Sequence, residues 1–493
     1  MDESNTKWWV LFTVSIGTFL GVIDQTIVNL AIPKIIQAFN ITVSAAGWIA
    51  TAYIIANAVF VPIWGKLGDT RGRKRVYLIG FSIFIVGSVL AGLAWNLTSM
   101  IIFRIIQAVA ISANYPTAMA IITITFKEAK SRAQALGIWS ASFASAAVLG
   151  PLIGGPLIDN FGWRSIFLIN LPIGLLGIIM AYIFIHESVS NTKTSTFDWQ
   201  GSVVLGIALS SLVLVLDQGQ SWGWTSLASV ATYIVSLLSF ISFYFIEKGH
   251  KEPIVDFNIF RNRILTATLI NNFVVFLGFM GCVFLIPVFA QTFLGYTSTQ
   301  AGYLFIPMAF TFMLFSPLGG SFIGKVNPKY IIFISTAIGA IGIYLLSHID
   351  ARSTATDLIV PLVIMAAGIG FGMAQRTTLI TSSVPEHEAG MASSMFTLIR
   401  SIAGAFGIAI FATVLQNSIE RHVLSIAKNT VINSFDPKVY QQVVELVILK
   451  AQTMGYDTVF FVASIILALG ALTAFLINAK TKQEKKEMAV MGE

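Results

Sequence analysis

The sequence predicts an all-α integral membrane protein with fourteen transmembrane helices. The first observation is composition: of 493 residues, 56% are hydrophobic and only 11% are charged, whereas about a quarter of a soluble domain is charged. The second is that apolar stretches of roughly 20 residues, the length an α-helix needs to cross a bilayer, recur along the whole chain. The third is an internal repeat that divides the chain into two halves. A soluble function would need a large polar domain, which the sequence lacks.

The first apolar run, which begins at Trp8, is predicted to be a retained transmembrane helix. Only Lys7 precedes it as a positive charge, and no small-residue cleavage site follows it, which argues against a signal peptide. Thirteen further apolar runs follow. The predicted spans cover residues 9–32, 48–65, 76–95, 100–124, 133–158, 164–185, 200–217, 227–246, 265–290, 300–323, 330–347, 358–376, 391–414 and 457–478.

Basic residues concentrate on one set of the loops between these spans. The opposite loops carry little besides Lys34, Arg164 and Arg352. Because Lys and Arg mark cytoplasmic loops, this asymmetry explains the net charge of +7 better than nucleic-acid binding does. Both termini are then cytoplasmic, and the polar segment 416–456, which has helical periodicity, is predicted as an external helical hairpin. The basic loop residues are Lys66, Arg71, Arg73, Lys74, Arg75, Lys127, Lys130, Arg132, Lys248, Lys251, Arg261, Arg263, Lys325 and Lys329.

The internal repeat relates segment 46–74 to segment 301–329. The matched pairs are Gly47 with Gly302, Trp48 with Tyr303, Pro62 with Pro317, Gly65 with Gly320 and Lys74 with Lys329. Spans 2 and 10 therefore occupy equivalent places in two related halves. We predict a six-helix half at 1–190, two additional helices at 191–256, and a six-helix half at 257–493. Repeated halves around a central site are typical of secondary transporters.

The loop "GKLGDTRGRKR" (65–75) joins spans 2 and 3 on the predicted cytoplasmic side. Its glycines permit a tight reversal next to a neighbouring helix. Asp69 can face a helix N-terminus, and the arginines can meet an acid such as Glu128. A basic loop that only sets topology would not need three glycines and an aspartate at these spacings. The predicted cytoplasmic gate consists of Gly65, Gly68, Asp69, Gly72, Arg73 and Glu128.

Span 5 contains the glycine-rich stretch "VLGPLIGG" (148–155). Gly150 and Gly154 share one helical face, and Pro151 between them removes one backbone hydrogen bond. Close contact with a neighbouring helix and a local bend are expected. Two interpretations stay open: static packing, or a smooth surface on which a moving helix slides. The motif residues are Gly150, Pro151, Gly154 and Gly155.

Four stretches together resemble the major facilitator superfamily. The loop 65–75 resembles its G-x-L-x-D-x-x-G-R-[KR] signature, and 148–155 resembles its antiporter motif. "RIIQAVAISANYP" (104–116) resembles its R-x-x-Q-G-x-G motif, with Ala108 and Ala110 in place of glycines. "IDQTIVNLAIPKI" (23–35) resembles the span 1 signature of the fourteen-span drug:proton antiporters of the QacA/EmrB type. The resemblance implies two six-helix halves plus two extra central spans, proton-driven export, and no cofactor.

Asp24 is an acid inside the first predicted span, where burial of a carboxylate is costly. It lies about nine residues from the outer end near Pro33, or roughly 13 Å, and Arg104 lies roughly 7 Å from the same face in span 4. Both charges must therefore face a cavity or each other. Either they form a fixed structural pair, or Asp24 carries a transported proton while Arg104 modulates it. We predict the second, because an intramembrane acid usually marks a proton path.

The substrate pocket is predicted from polar and aromatic side chains within the spans. Arg400 in span 13 adds a second positive charge, which leaves room for neutral, zwitterionic or anionic amphiphiles. The pocket candidates are Gln25, Asn29, Trp48, Tyr53, Asn57, Gln107, Asn114, Trp139, Phe143, Asn271, Asn272 and Arg400.

These residues predict a proton-coupled exporter of amphipathic drugs or toxic organic compounds in the plasma membrane. The alternative is a proton-coupled exporter or flippase of an endogenous lipid, peptide or metabolite. A membrane sensor lacks a signalling domain, and an intramembrane enzyme lacks a nucleophile–base pair. Cys282 is the single cysteine, so neither a disulfide nor a thiolate metal site is predicted. The expected partners are the bilayer, small amphipathic substrates and protons, with no nucleic acid, and the protein is expected to be a monomer.

Overall fold

In the residues that the computed structural model describes, the regular secondary structure is helical and no β-strand occurs. The described residues are 3–188, 198–250, 253–255, 257–384, 389–429 and 437–477.

The helices follow the predicted spans in order. In the first part of the chain they are α1 (Glu3–Phe39), α2 (Val43–Arg71), α3 (Arg73–Gly92), α4 (Leu97–Ile111), α5 (Asn114–Thr125), α6 (Ala129–Phe161), α7 (Ser165–Leu168) and α8 (Asn170–Phe184). Two linker helices follow, α9 (Trp199–Trp222) and α10 (Leu227–Gly249). The last part contains α11 (Arg263–Phe293), α12 (Ser298–Tyr303), α13 (Phe305–Gly320), α14 (Pro328–Leu346), α15 (Ala355–Ser382), α16 (Ala389–Asn429) and α17 (Pro437–Leu472), with short 3₁₀ helices at Phe257–Arg261 and Thr473–Leu476.

The predicted all-α membrane architecture is confirmed. Within the described part of the chain, 13 helical segments are long and apolar enough to cross a bilayer. The predicted fifth span coincides with α6, whose side chains are described only in part. Three predicted spans consist of two consecutive helices: α4 with α5, α7 with α8, and α12 with α13. The residues at these breaks keep right-handed helical dihedral angles, so each pair still forms one continuous span.

The first helix is longer than its predicted span. It continues through Pro33 to Phe39, because loss of one backbone hydrogen bond at proline bends a transmembrane helix without having to end it. Asp24 is therefore about 22 Å from the end of α1, and its depth in the bilayer stays a prediction.

The segment 416–456 is also helical where it is described. The helices α16 and α17 continue beyond the predicted spans, with 41 and 36 residues respectively. The two arms of the predicted hairpin are therefore extensions of the helices of spans 13 and 14.

The start of α4 is fixed by a reciprocal cap. The Ser99 amide donates to Asn96 Oδ1 at 2.8 Å, and the Asn96 amide donates to Ser99 Oγ at 3.2 Å. These bonds satisfy amides that the first helical turn leaves unpaired. The cap fixes where α4 begins and thereby places Arg104 two turns inside the helix.

The described residues group into two compact units. The first comprises 1–215, 222–257 and 297–306, and the second comprises 216–221, 258–296 and 307–493. In the first, Leu20, Phe81 and Ile122 belong to one apolar core. In the second, smaller clusters form around Leu269 and Ile332. The division of the halves at residues 190 and 257 stays a prediction.

Candidate functional site

An ion pair between α1 and α4 forms the centre of the candidate site. Arg104 Nη1 donates to Asp24 Oδ2 at 2.5 Å. Both side chains are buried, with 1% of each exposed. Because an isolated charge in such surroundings costs several kcal/mol, each charge compensates the other.

Two amide side chains complete the coordination of the Asp24 carboxylate. Gln107 Nε2 donates to Asp24 Oδ1 at 2.8 Å, and Gln107 Oε1 accepts from Arg104 at 2.7 Å. Asn170 Nδ2, at the start of α8, donates to the same Oδ1 at 3.1 Å and to Ser88 Oγ at 2.9 Å. The carboxylate thus accepts from three side chains, an arrangement that stabilises a negative charge. We call Asp24, Arg104, Gln107, Asn170 and Ser88 the acid network.

Aromatic rings enclose the guanidinium of Arg104. Its Cζ is 3.9 Å from the ring centroid of Tyr53 and 5.8 Å from that of Phe167. Cation–π attraction is strongest when the cation is desolvated, as here. Arg104 Nε has no hydrogen-bond partner among the described atoms. The guanidinium is therefore held by one carboxylate, one amide and two rings.

Sequence reasoning named Asp24, Arg104, Gln107 and Tyr53 but missed Asn170 and Ser88. The signal for Asn170 was present, because it is an amide side chain inside predicted span 6. Ser88 gave no signal of its own: a serine in a transmembrane helix usually bonds to its own backbone. Its Oγ instead donates to Phe167 O at 2.8 Å, and only the packing of α3 against α7 and α8 determines this.

Trp139 and Asn114 are the buried members of the remaining pocket candidates in the first unit, among the side chains that the structure describes. Trp139 is buried, and its Nε1 donates to Thr18 Oγ1 at 2.8 Å. Asn114 begins α5 at the break after α4, and neither amide atom has a partner in the described structure. Gln25 is exposed, Asn29 and Asn57 are half-buried, and the side chain of Phe143 lies outside the described residues.

Trp48 lies in a groove between α2 and α9. The groove has a volume of about 590 Å³ and is lined by apolar residues of both helices, including Phe60 and Ile207, and by serines such as Ser210. Trp48 therefore contributes to a surface that is separate from the Asp24 carboxylate.

A different buried cation joins three helices of the second unit, α11, α14 and α15. Arg376 of α15 is fully buried; its Nε donates to Asn271 Oδ1 at 2.8 Å and its Nη2 to Thr336 Oγ1 at 2.6 Å. Asn271 also donates to Gly470 O at 2.8 Å. In the described chain, no carboxylate is bonded to Arg376. Sequence reasoning missed Arg376 because it is the last residue of predicted span 12. A charge at the end of a span is expected to reach solvent.

The two remaining candidates also belong to the second unit. Asn272 is fully buried, and its amide has no partner among the atoms that the structure describes. Arg400 is half-buried, with its Cζ 5.4 Å from the ring centroid of Phe276.

The motif 65–75 is mostly helical. The helix α2 continues to Arg71, and Gly72 alone makes the turn into α3, with φ of 102°. This left-handed backbone favours glycine. The closest side chain is that of Glu187: a Cβ at position 72 would lie 2.5 Å from its Oε1. Gly68 packs against Thr117.

The acid that meets this loop is Glu187, just beyond α8. Its carboxylate accepts from the amides of Lys74 and Arg75, both at 3.1 Å, and so caps the start of α3. Glu128, the acid predicted to meet the loop, is exposed, and its gate role stays a prediction. The surroundings of Gly65 and Asp69 lie outside the described side chains, and the gate role of Arg73 is untested.

The glycines of α6 adjoin two helices of the first unit. A Cβ at Gly150 would collide with Thr26, and one at Gly154 would lie 2.8 Å from Ile27, both on α1. On the other side, Gly155 approaches the Thr299 amide of α12. The Pro151 carbonyl of α6 faces Gly302, which is also on α12. The glycine face therefore permits close contact of α6 with α1 and α12.

Comparisons with known proteins give one family match, two similar relatives and one similar fold. The model of the Major Facilitator Superfamily matches residues 14–408. The chain is 32% identical over 416 residues to multidrug resistance protein 3 of Bacillus subtilis (strain 168), covering 84% of this chain and 80% of that protein. It is 29% identical over 453 residues to multidrug resistance protein Stp of Mycobacterium tuberculosis (strain CDC 1551 / Oshkosh), covering 89% and 83%. The crystal structure of a bacterial homolog to the human lysosomal transporter Spinster has a TM-score of 0.69 at 17% identity, with 98% of both chains covered.

Proposed function

Because this chain belongs to the major facilitator superfamily, we propose that it is a proton-coupled exporter of amphipathic drugs or toxic organic compounds, working by alternating access. It is a multi-span membrane transporter and not an enzyme. Both similar relatives described above are multidrug resistance proteins, which supports the efflux role. The proton gradient supplies the energy in this proposal.

The acid network is the observation that carries the proposal. Asp24 is ionised when it accepts from Arg104, Gln107 and Asn170. A proton on Asp24 cancels its charge and leaves the Arg104 cation without a counterion. Leaving one member of a buried pair alone costs about 3–5 kcal/mol. The protonated network therefore favours a different arrangement of α1 and α4, which provides two states for a transport cycle.

A monovalent cationic substrate competes with the proton for the same carboxylate. Arg104 already neutralises the charge of Asp24. A cationic substrate is therefore attracted to the carboxylate only when it displaces the guanidinium. Alternatively, it can bind to the face of the Tyr53 ring beside Arg104. Mutually exclusive binding of proton and substrate is the minimum requirement of antiport.

In this proposal, the glycine-rich elements are the parts of the protein that move during transport. The 65–75 loop with Glu187 acts as a gate on the cytoplasmic side, with both termini on that side. The α6 glycines provide a surface without side chains, on which α1 and α12 pack closely. Such contacts can break and re-form without unlocking interdigitated side chains.

A second substrate class is favoured by the charges of the second unit. Arg376 is a fully buried cation bonded to neutral groups, and Arg400 adds another positive charge beside Phe276. An excess of positive charge favours anionic or zwitterionic amphiphiles over divalent cations. An endogenous lipid, peptide or metabolite is therefore the alternative cargo.

Transport into proteoliposomes under an imposed pH gradient tests the proposal. The substrate panel should contain a monovalent organic cation, a neutral amphiphile and an anionic lipid. The comparison is wild type against Asp24→Asn, with Asp350→Asn as the control, because Asp350 is an exposed acid outside the network. We expect Asp24→Asn to abolish uphill transport and Asp350→Asn to retain it. Equal pH-driven transport by all three proteins contradicts proton coupling at Asp24, and the preferred substrate decides between drug and lipid.

A further inference from the structure

Two more carboxyl groups are buried together at one end of the linker helices. Asp198 directly precedes α9, and Glu247 is in the last turn of α10. Their exposed fractions are 3% and 2%. Acids at helix ends are normally solvated, and Asp and Glu are almost never this buried unless they are paired.

One oxygen of each carboxyl group is satisfied by the backbone. The Gly201 amide donates to Asp198 Oδ1 at 2.6 Å, and the Val255 amide donates to Glu247 Oε2 at 3.0 Å. The other two oxygens, Asp198 Oδ2 and Glu247 Oε1, are buried and have no donor among the described atoms.

These two oxygens without donors face the same small space. A Cβ on Gly201 would lie 2.7 Å from Glu247 Oε1 and closer still to Asp198 Oδ2. The two side chains are also in position to hydrogen bond with each other. Glycine at position 201 is therefore required for the two carboxyl groups to meet.

No cation compensates the two acids in the described part of the chain. Of the neighbouring titratable side chains, Lys248 is exposed and His250 is half-buried. Ser202, which faces Asp198 from α9, donates to its backbone carbonyl at 2.9 Å. The described segment 253–255 that covers Glu247 is Pro-Ile-Val and has no titratable side chain. The acid network differs, because there an arginine and two amides supply the donors.

Ionised carboxylates are acceptors only, whereas a protonated carboxyl group donates one hydrogen bond. Two like charges in contact cannot both persist in a buried site. One proton placed between Oδ2 and Oε1 supplies the missing donor, removes one charge and leaves both oxygens bonded.

We propose that Asp198 and Glu247 form a second proton-binding site, separate from Asp24, that holds one proton between their facing oxygens. The site links the start of α9, the end of α10 and the segment 253–255, which leads into α11. Removal of the proton by a base leaves two buried negative charges in contact, so the carboxyl groups separate and the Val255 amide is released. The site therefore responds to pH at this end of the helix pair.

Infrared spectroscopy of the full-length protein tests for the shared proton. A protonated carboxylic acid has a carbonyl band that an ionised carboxylate lacks. We expect wild type and Asp24→Asn to share such a band near neutral pH, and Glu247→Gln and Asp198→Asn each to lose it. The glutamine keeps the fold, because its amide donates to Asp198 in place of the proton. Asp350→Asn is the control, and an unchanged band in both Glu247→Gln and Asp198→Asn overturns the proposal.

Hydrogen exchange at the Val255 amide provides a readout that does not depend on transport. After correction for intrinsic exchange rates, wild type should lose protection at least tenfold as pH rises. Glu247→Gln should keep its protection at every pH, because its hydrogen bond does not need a proton. In wild type, protection could instead be independent of pH and increase when Na⁺, K⁺ or Mg²⁺ is added. That result would mean that the pair holds a metal ion, and the proposal would fail.

Discussion

Asp24 is tolerated inside the protein because its carboxylate has a partner for each oxygen. Arg104 bonds to one oxygen, and Gln107 and Asn170 bond to the other. Gln25, the next residue in the chain, is exposed, since successive residues on a helix point about 100° apart. Position along the chain alone therefore did not identify which polar residues belong to the site.

The Asn170 side chain provides a test of the acid network that keeps its ion pair. In Asn170→Ala, the Asp24 carboxylate loses one donor, and Ser88 Oγ loses its bond from Asn170. We expect the export rate to fall several-fold and the free energy of unfolding to fall by about 1–3 kcal/mol. Proteoliposome transport and thermal unfolding measure these effects. Asn160→Ala is the matched control, because Asn160 is an exposed amide at the end of α6; an equal loss in both variants would contradict a specific role.

Arg400 distinguishes the two substrate classes. If it attracts anionic or zwitterionic amphiphiles, Arg400→Ala should raise KM for those substrates about tenfold, which corresponds to about 1.4 kcal/mol, and spare organic cations. Initial rates over a range of substrate concentrations measure this difference. An equal loss for every substrate would indicate that Arg400 has a structural role beside Phe276.

At the scale of helices, backbone amides and glycines determine which surfaces meet. Asp159, near the end of α6 and beyond predicted span 5, accepts from the amides of Ser298 and Thr299 at 3.0 and 2.9 Å, and from Thr299 Oγ1 at 2.6 Å. It thereby caps the start of α12. Gly155 of α6 approaches the same turn. One charged cap and one glycine thus define the contact between α6 and α12.

The Asp159 cap should depend on pH in a defined direction. Partial burial raises the pKa of Asp159, but the hydrogen bonds from Thr299 and Ser298 outweigh it and lower the pKa below its ordinary value. The stability from this cap is therefore fully present above the ordinary aspartate pKa and is lost as pH falls through the lower folded value. Asp159→Asn should remove about 1 kcal/mol, because the carboxylate is largely exposed to solvent.

Unfolding measured as a function of pH checks this prediction. The stability difference between wild type and Asp159→Asn should be constant at neutral pH and vanish in acid. A difference that grows on acidification would have the wrong sign for an ionised cap.

The α1–α6 contact is testable by a compensating pair. Gly154→Ala places a Cβ 2.8 Å from Ile27, and overpacking of this kind costs about 1–3 kcal/mol. Ile27→Ala creates the missing space, so the double variant should recover much of the stability. Thermal unfolding of both single variants and of the double variant measures the coupling. If the stability losses of the two single variants simply add in the double variant, the two side chains are not in steric contact.

For the whole molecule, composition and hydropathy were sufficient to predict an all-α membrane architecture. A bilayer requires long apolar helices, so composition alone restricts the architecture. The acid network was predictable in part, because Asp24 and Arg104 are charges in apolar surroundings. Asp198 and Glu247 were not predictable, because each lies at a helix end that would ordinarily be solvated. Their burial depends on how segment 253–255 covers them, and sequence periodicity does not reveal such packing.

The topology of the whole chain remains a prediction that labelling can check. Ser425 on the extension of α16 is exposed, whereas Ser418 is 7% exposed and would react poorly. Ser425→Cys in a Cys282→Ala background should react with an impermeant maleimide in intact cells. Cys282→Ala alone is the control, and labelling only after permeabilisation would place this segment inside and contradict the fourteen-span topology.

The lengths of α16 and α17 also have a practical consequence for imaging. At 1.5 Å per residue, the 41 residues of α16 extend about 60 Å, twice the thickness of the hydrocarbon core. A helical rod about 25 Å long can therefore emerge from a detergent micelle that hides most of a transporter. In electron cryomicroscopy, such a rod gives projection images an asymmetric landmark for alignment. An antibody fragment that recognises exposed residues such as Leu424 and Leu446 would enlarge this landmark without touching the transport path.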